Sequence, residues 1–142
     1  MRLSTRGEYG VRAMVVLANS YGTGPLSLGE IAATEGISLA YLEQLIAALR
    51  RAGLVTSVRG AYGGYRLTRP PDCVTIGDVV RPLESVALTD CANADGHVAC
   101  CERRQTCASR LLWERVSASI AATLDSITLA DVCSQKEIRL VA

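Results

Sequence analysis

Residues 27–67 read SLGEIAATEGISLAYLEQLIAALRRAGLVTSVRGAYGGYRL, and the punctuation of this stretch decides the fold. Ser27-Leu28-Gly29-Glu30 has the S-x-x-E form in which a hydroxyl and a carboxylate satisfy the orphan amides of a helix start. A short helix is expected from Leu28 to about Glu35, and Gly36 supplies its left-handed exit. Ser38 can cap a following helix whose apolar stripe, Tyr41, Leu42, Leu45, Ile46, Leu49 and Leu54, recurs at helical spacing and ends near Ala52-Gly53. Two helices joined by a tight glycine turn signal a helix-turn-helix. The runs 54–59 and 65–67 then read as two short strands around the glycine-rich tip 60–64, a wing.

Upstream, Tyr9, Ala13, Met14, Leu17 and Tyr21 recur at three- and four-residue steps, the buried face of a helix from Thr5 to about Tyr21 that stops at Gly22-Thr23-Gly24-Pro25. Downstream, Pro70-Pro71 closes the module, and Thr75 and Asp78 form a second capping pair before a short helix. Residues 127–132 echo that pattern, which the capping requirement alone explains without a duplicated domain. Between the two lie a cysteine-bearing loop, about 90–106, and a long helix in which Leu112, Val116, Ile120 and Leu124 fall four apart. With a core already supplied by the first module, this stripe is expected to bury against the same helix of a second copy, giving a homodimer; packing back on its own domain is the alternative. The expected architecture is mainly α with a small β wing: a winged helix-turn-helix domain over 1–70 and a cysteine-loop and dimerisation region over 71–142, with a long C-terminal helix.

The 142 residues allow one core plus an extension, with 49% hydrophobic and 20% charged residues. No apolar run approaches the roughly 18 to 20 residues needed to span a bilayer, and the first residues lack a secretory pattern, so a cytoplasmic protein that does not enter the membrane is expected. Net charge is +1, but residues 1–70 carry eight Arg and no Lys against four Glu, while residues 71–142 sum to −3. The first half therefore suits a polyanionic partner, with ordinary charge scatter as the plainer reading, and the helix-turn-helix and wing make double-stranded DNA the expected one.

A recognition helix presents polar side chains of its first turns to major-groove base edges. Ser38, Tyr41, Glu43 and Gln44 stand there: Glu43 could accept from a cytosine amino group and Gln44 could pair with adenine, while Ser38 and Tyr41 suit phosphate. A merely solvated helix face is the competing account of Glu43. Arg59 and Arg66 fit a basic side chain entering a minor groove beside the wing, and Arg50 and Arg51 could add phosphate contacts. Gly60, Gly63 and Gly64 are weak evidence for a nucleotide loop, because no Lys-Ser/Thr pair follows.

Four of six cysteines, Cys91, Cys100, Cys101 and Cys107, fall within 17 residues. In a reducing compartment this points to metal or redox chemistry rather than disulfides, and thiolates are the soft ligands that iron-sulfur clusters use. Cys73 and Cys133 sit in apolar contexts and read as small buried hydrophobes. A small redox enzyme or cluster carrier is disfavoured by the absence of C-x-x-C beside a full winged-helix pattern.

The whole chain resembles the IscR and NsrR type of winged-helix regulators, many of which bind an iron-sulfur cluster. The residues that carry the likeness are Met1-Arg2-Leu3-Ser4, residues 38–45 and 53–60, Gly63-Gly64-Tyr65, Leu112-Trp113 and Ile127-Thr128-Leu129. The resemblance implies that the chain is not an enzyme, that Glu43, Gln44 and Arg59 read sequence, and that three loop cysteines hold a cluster, with 2Fe-2S expected and 4Fe-4S open. Cys101 and Cys107 match the family spacing, Cys107 lies six residues before Trp113 as the family's third cysteine does, and Cys91 is then the first ligand. The nine-residue gap before Cys101 is longer than the family's, so Cys100 rivals Cys101. One branch has a fourth-ligand His where this chain has Arg110; another uses an acidic residue of the first helix from the opposite subunit, which implies Glu8. Thr5-x-x-Glu8 is also a capping box, and His97 in the loop is a second candidate. The expected function is a transcription regulator whose operator affinity follows the cluster, with a zinc or thiol sensor, or a clusterless member controlled by a protein partner, as alternatives.

Overall fold

The computed structural model describes residues 2–89, 102–103 and 105–134. Helix α1 (Thr5–Asn19) is capped by Ser4, whose hydroxyl accepts from the Gly7 amide, so the start lies one residue before the Thr5-x-x-Glu8 box. The Ser4 amide in turn donates to the Glu84 carboxylate, 3.0 Å away. This partner, eighty residues along the chain, is what settles the choice between two overlapping capping patterns. At the other end the Ser20 hydroxyl donates to the carbonyls of Val16 and Leu17 and stops the helix, leaving Tyr21 beyond it and 45% exposed rather than in the buried stripe.

Helix α2 (Leu28–Glu35) starts at the Ser27–Glu30 capping box and leaves through Gly36 at φ 64°. Helix α3 (Leu39–Arg51) is capped by Ser38 and buries Leu42, Leu45, Ile46, Ala48 and Leu49. Strands β1 (Val55–Val58) and β2 (Gly64–Leu67) pair antiparallel, with Val55 opposite Leu67 and Val58 opposite Gly64. Leu26 extends this wing through a bridge to Tyr65, and a side chain on Gly64 would collide with the Leu26 carbonyl.

A 3-10 turn (Pro71–Cys73) leads to α4 (Ile76–Val80), and α5 (Ala108–Ser126) to α6 (Leu129–Cys133). The two echoing caps meet in space. Thr75 and Thr128 form an antiparallel bridge, in which the Ile76 amide donates to the Ile127 carbonyl at 2.8 Å and the Leu129 amide to the Val74 carbonyl at 2.9 Å. Each threonine also keeps its own capping box, with Asp78 or Asp131.

Helix α1 is the shared wall of the molecule: α2, α3 and β2 pack on it, and so do α4 and α6. One core cluster runs through all of these, with Met14, Leu17, Ile31, Leu45, Val74, Val79 and Leu129 fully buried. Cys133 packs against this core, whereas Cys73 is exposed at the 3-10 turn and is not the buried hydrophobe its apolar neighbours suggested. The N-terminal half of α5 departs from the pattern. Leu111, Leu112 and Trp113 are exposed, while Ile120 and Leu124 line a groove of about 610 Å³ with Leu3, Val86 and Leu88. Its C-terminal end is tied down by the Arg81–Asp125 ion pair at 2.6 Å.

Candidate nucleic-acid interface and metal-ligand segment

The outer face of α3 is set by its buried one. Because Leu42, Leu45, Ile46 and Leu49 turn inward, Leu39, Ala40, Glu43, Gln44, Ala47, Arg50 and Arg51 form one exposed stripe. Beside it, Leu28 and Tyr65 close a notch of about 320 Å³ with Glu43, Ala47, Arg50 and Arg51, between the helix and the wing. Arg50 and Arg51 stand in the last turn of α3, where carbonyl dipoles favour cations.

The sequence-based candidates divide among three roles. Glu43 and Gln44 are exposed on the stripe. Ser38 caps the helix by accepting from the Tyr41 amide at 3.3 Å, which leaves its own O–H hydrogen available. Tyr41 is half-buried, edge-on to Tyr9 with ring centroids 6.1 Å apart, and its hydroxyl donates to Thr5 Oγ1 at 3.4 Å. Arg59 is exposed at the shoulder of the wing. Arg66 lies on the other side of the sheet from Tyr65, as strand alternation requires, and lines a separate groove of about 690 Å³ with Thr56, Tyr21 and Pro25.

Two features escaped the sequence reading. The first is Tyr62, 95% exposed at the wing tip. The second is a polar joint under α3: Arg12 Nε donates to Glu35 Oε2 at 2.6 Å, its Nη2 donates to the Glu35 carbonyl at 2.9 Å, and its guanidinium lies 5.0 Å from the Tyr9 ring. The hydrogen bond to Glu35 raises the Arg12 pKa. Through Tyr9 and Tyr41 this joint links α1 to the end of α2 and the start of α3. Only three-dimensional adjacency reveals it, since no local pattern pairs residues 12 and 35.

Of the metal-ligand candidates, Cys107 and Glu8 belong to the described residues, while Cys91, His97, Cys100 and Cys101 lie outside them. Cys107 is the N-cap residue of α5, half-buried, with its Sγ 3.2 Å from Ser109 Oγ. Its thiol pKa is lowered, first by that hydroxyl and then by the Arg110 amide, which favours the thiolate a metal requires. Burial pushes the Cys133 thiol the other way. Glu8 is exposed on α1, and its charge helps keep Arg12 protonated. Among the described residues no three ligating side chains converge on one point. The donor chemistry of Cys107 fits an iron-sulfur cluster or another thiophilic metal.

Residues 3–135 match the model of Rrf2, described as an iron-dependent transcriptional regulator. The chain belongs to this family. It is 45% identical over 134 residues to the HTH-type transcriptional regulator CymR of Bacillus subtilis, covering 94% of this chain and 91% of that one. It is 41% identical to the HTH-type transcriptional regulator IscR of Erwinia tasmaniensis, covering 100% of this chain and 84% of that protein. Among solved structures, T. potens IscR superposes with a TM-score of 0.78 at 45% identity, covering 100% of this chain and 93% of that one. CymR of B. subtilis, described as its global cysteine regulator, gives a TM-score of 0.78 at 43% identity, covering 96% and 99%. The chain is thus an Rrf2-family transcription regulator with a winged-helix fold, not an enzyme. Among its described residues no helix is long and apolar enough to cross a membrane.

Proposed function

We propose that this regulator is a cytoplasmic homodimer whose affinity for double-stranded operator DNA is set by an iron-sulfur cluster, with 1–70 reading DNA and 71–142 sensing and dimerising. The observation that carries the reading is the place of Cys107: a thiol disposed to ionise sits at the head of the 19-residue helix α5, where Leu111 and Leu112 are exposed and would meet a second copy. A ligand gripping that residue acts directly on the helix that spaces the two recognition helices. For a twofold dimer those helices enter successive major grooves, about 34 Å apart.

Cys91, Cys101 and Cys107 would hold the cluster, with Cys100 as the rival to Cys101 and Glu8 or His97 as the fourth ligand; 2Fe-2S is the expected form and 4Fe-4S the alternative. When bound, the cluster supplies redox and ligand-exchange chemistry at its irons. The protein supplies the rest. Arg50 and Arg51 take phosphates beside the notch, as do the Ser38 hydroxyl and Tyr41 at the helix start. Glu43 and Gln44 meet base edges, and Arg59 enters the minor groove, with Arg66 contributing from the other side of the wing. Cluster occupancy shifts DNA binding only to the extent that the cluster prefers one dimer geometry over the other.

Anaerobic purification tests this reading. Visible absorption with matching iron and sulfide is expected, lost in Cys91→Ala, Cys101→Ala and Cys107→Ala; a colourless protein holding zinc overturns the cluster. The second reading, a thiol sensor without a cluster, is favoured by the depressed Cys107 thiol and by the similarity to a protein described as a global cysteine regulator. It predicts metal-free protein whose operator binding changes on oxidation and recovers on reduction.

A further inference from the structure

At the start of α3 the polar side chains already make bonds within the protein. The Ser38 hydroxyl accepts from the Tyr41 amide, and the Tyr41 ring is turned onto Tyr9 with its hydroxyl on Thr5. Beside the exposed Ser38, the first two residues of the helix proper also face water and are both hydrocarbon: Leu39, 48% exposed, and Ala40. Among the described residues, Leu39 belongs neither to the core cluster nor to the partly buried hydrophobics packed against it. One turn along the same face come Glu43 and Gln44.

Recognition helices meet base edges with their N-terminal residues, and the one apolar group on a major-groove edge is the C5-methyl of thymine. A hydrocarbon side chain gains nothing from a phosphate oxygen or a base amine and gains by removing a methyl group from water. We propose that Leu39, with Ala40 beside it, reads a thymine methyl in each operator half-site, so that the half-site places a thymine next to the base pairs met by Glu43 and Gln44. This rests on the reading that α3 enters the major groove.

The test uses the full-length protein and a duplex selected from a random library, with dissociation constants from fluorescence anisotropy. Each thymine is replaced in turn by deoxyuridine, which removes the methyl group and preserves pairing. One thymine per half-site is expected to weaken binding about fourfold on substitution, the worth of one buried methyl. In Leu39→Ala, which alters an exposed residue and is checked by thermal unfolding, the same substitution is expected to have little further effect. A sequence-specific site at which no thymine responds, or a response unchanged in Leu39→Ala, overturns the role of Leu39 and leaves the DNA-reading helix standing. Binding that selects no sequence and depends only on salt overturns both.

Discussion

Cys107 and Cys133 lie in the same chain with thiols displaced in opposite directions, the first by a hydroxyl and a backbone amide, the second by burial. A depressed thiol ionises earlier as pH rises, so in metal-free protein the alkylation rate of Cys107 should reach half its plateau below the ordinary thiol value, with Cys133 lagging above it. Peptide mapping by mass spectrometry across a pH series measures both, and Ser109→Ala should move the Cys107 midpoint upward. At Tyr41, the long hydroxyl contact to Thr5 predicts that Tyr41→Phe costs under about 1 kcal/mol. Tyr41→Ala loses the ring pair with Tyr9 and should cost about 2 kcal/mol, below the range for a fully buried aromatic. Denaturant unfolding reads the difference. The sequence placed Tyr41 both in the inward stripe of its helix and among the phosphate contacts, and its partners Tyr9 and Thr5, which arrive from another helix, were not visible there.

The elements themselves were largely legible. Ser27 with Glu30, Ser38, Thr75 with Asp78, and the pattern at 127–132 each mark a helix start where one occurs, because capping is a contract between residues three apart. Where the reading slipped, at Ser4 and Tyr21, a distant or non-periodic partner made the choice: Glu84 at one end of α1, the Ser20 hydroxyl at the other. The wing depends on a glycine at 64, where φ is 157° and the Leu26 carbonyl fills the space a side chain needs. Gly64→Ala is expected to destabilise by about 1 to 3 kcal/mol through steric displacement of the Leu26 bridge. A lowered Tm and weaker operator binding should appear together. Removing either threonine cap, Thr75→Ala or Thr128→Ala, should cost about 1 kcal/mol. Because the two caps share a bridge, the double variant should depart from additivity, as a double-mutant cycle would show.

At the scale of the molecule, α1 carries both halves on its flanks, so α3 and the helices α4 and α6 share one hydrophobic core. The stripe on α5 was legible as a periodicity, and it divides: Ile120 and Leu124 face a groove of the chain itself, while Leu112 stays open. Leu112 is 53% exposed, which is the condition expected of a surface awaiting a second copy. Leu112→Asp should therefore give a folded monomer by light scattering and reduce operator affinity by an order of magnitude or more, since one half-site contact is lost. A dimer that persists unchanged would move the interface elsewhere.

The pairing of Thr75 with Thr128 carries one more consequence. The bridge joins the start of α4 to the end of α5 through two backbone hydrogen bonds, while α4 and Leu83 are seated in the core and α5 packs on α4. With α4 and α5 both anchored, a longer connection between them is expected to cost little, since doubling the length of a loop adds only about 0.6 kcal/mol of closure entropy. A change in cysteine spacing, such as a gap shorter or longer than the nine residues between Cys91 and Cys101, is therefore expected to leave the seating of α3 on the core unchanged.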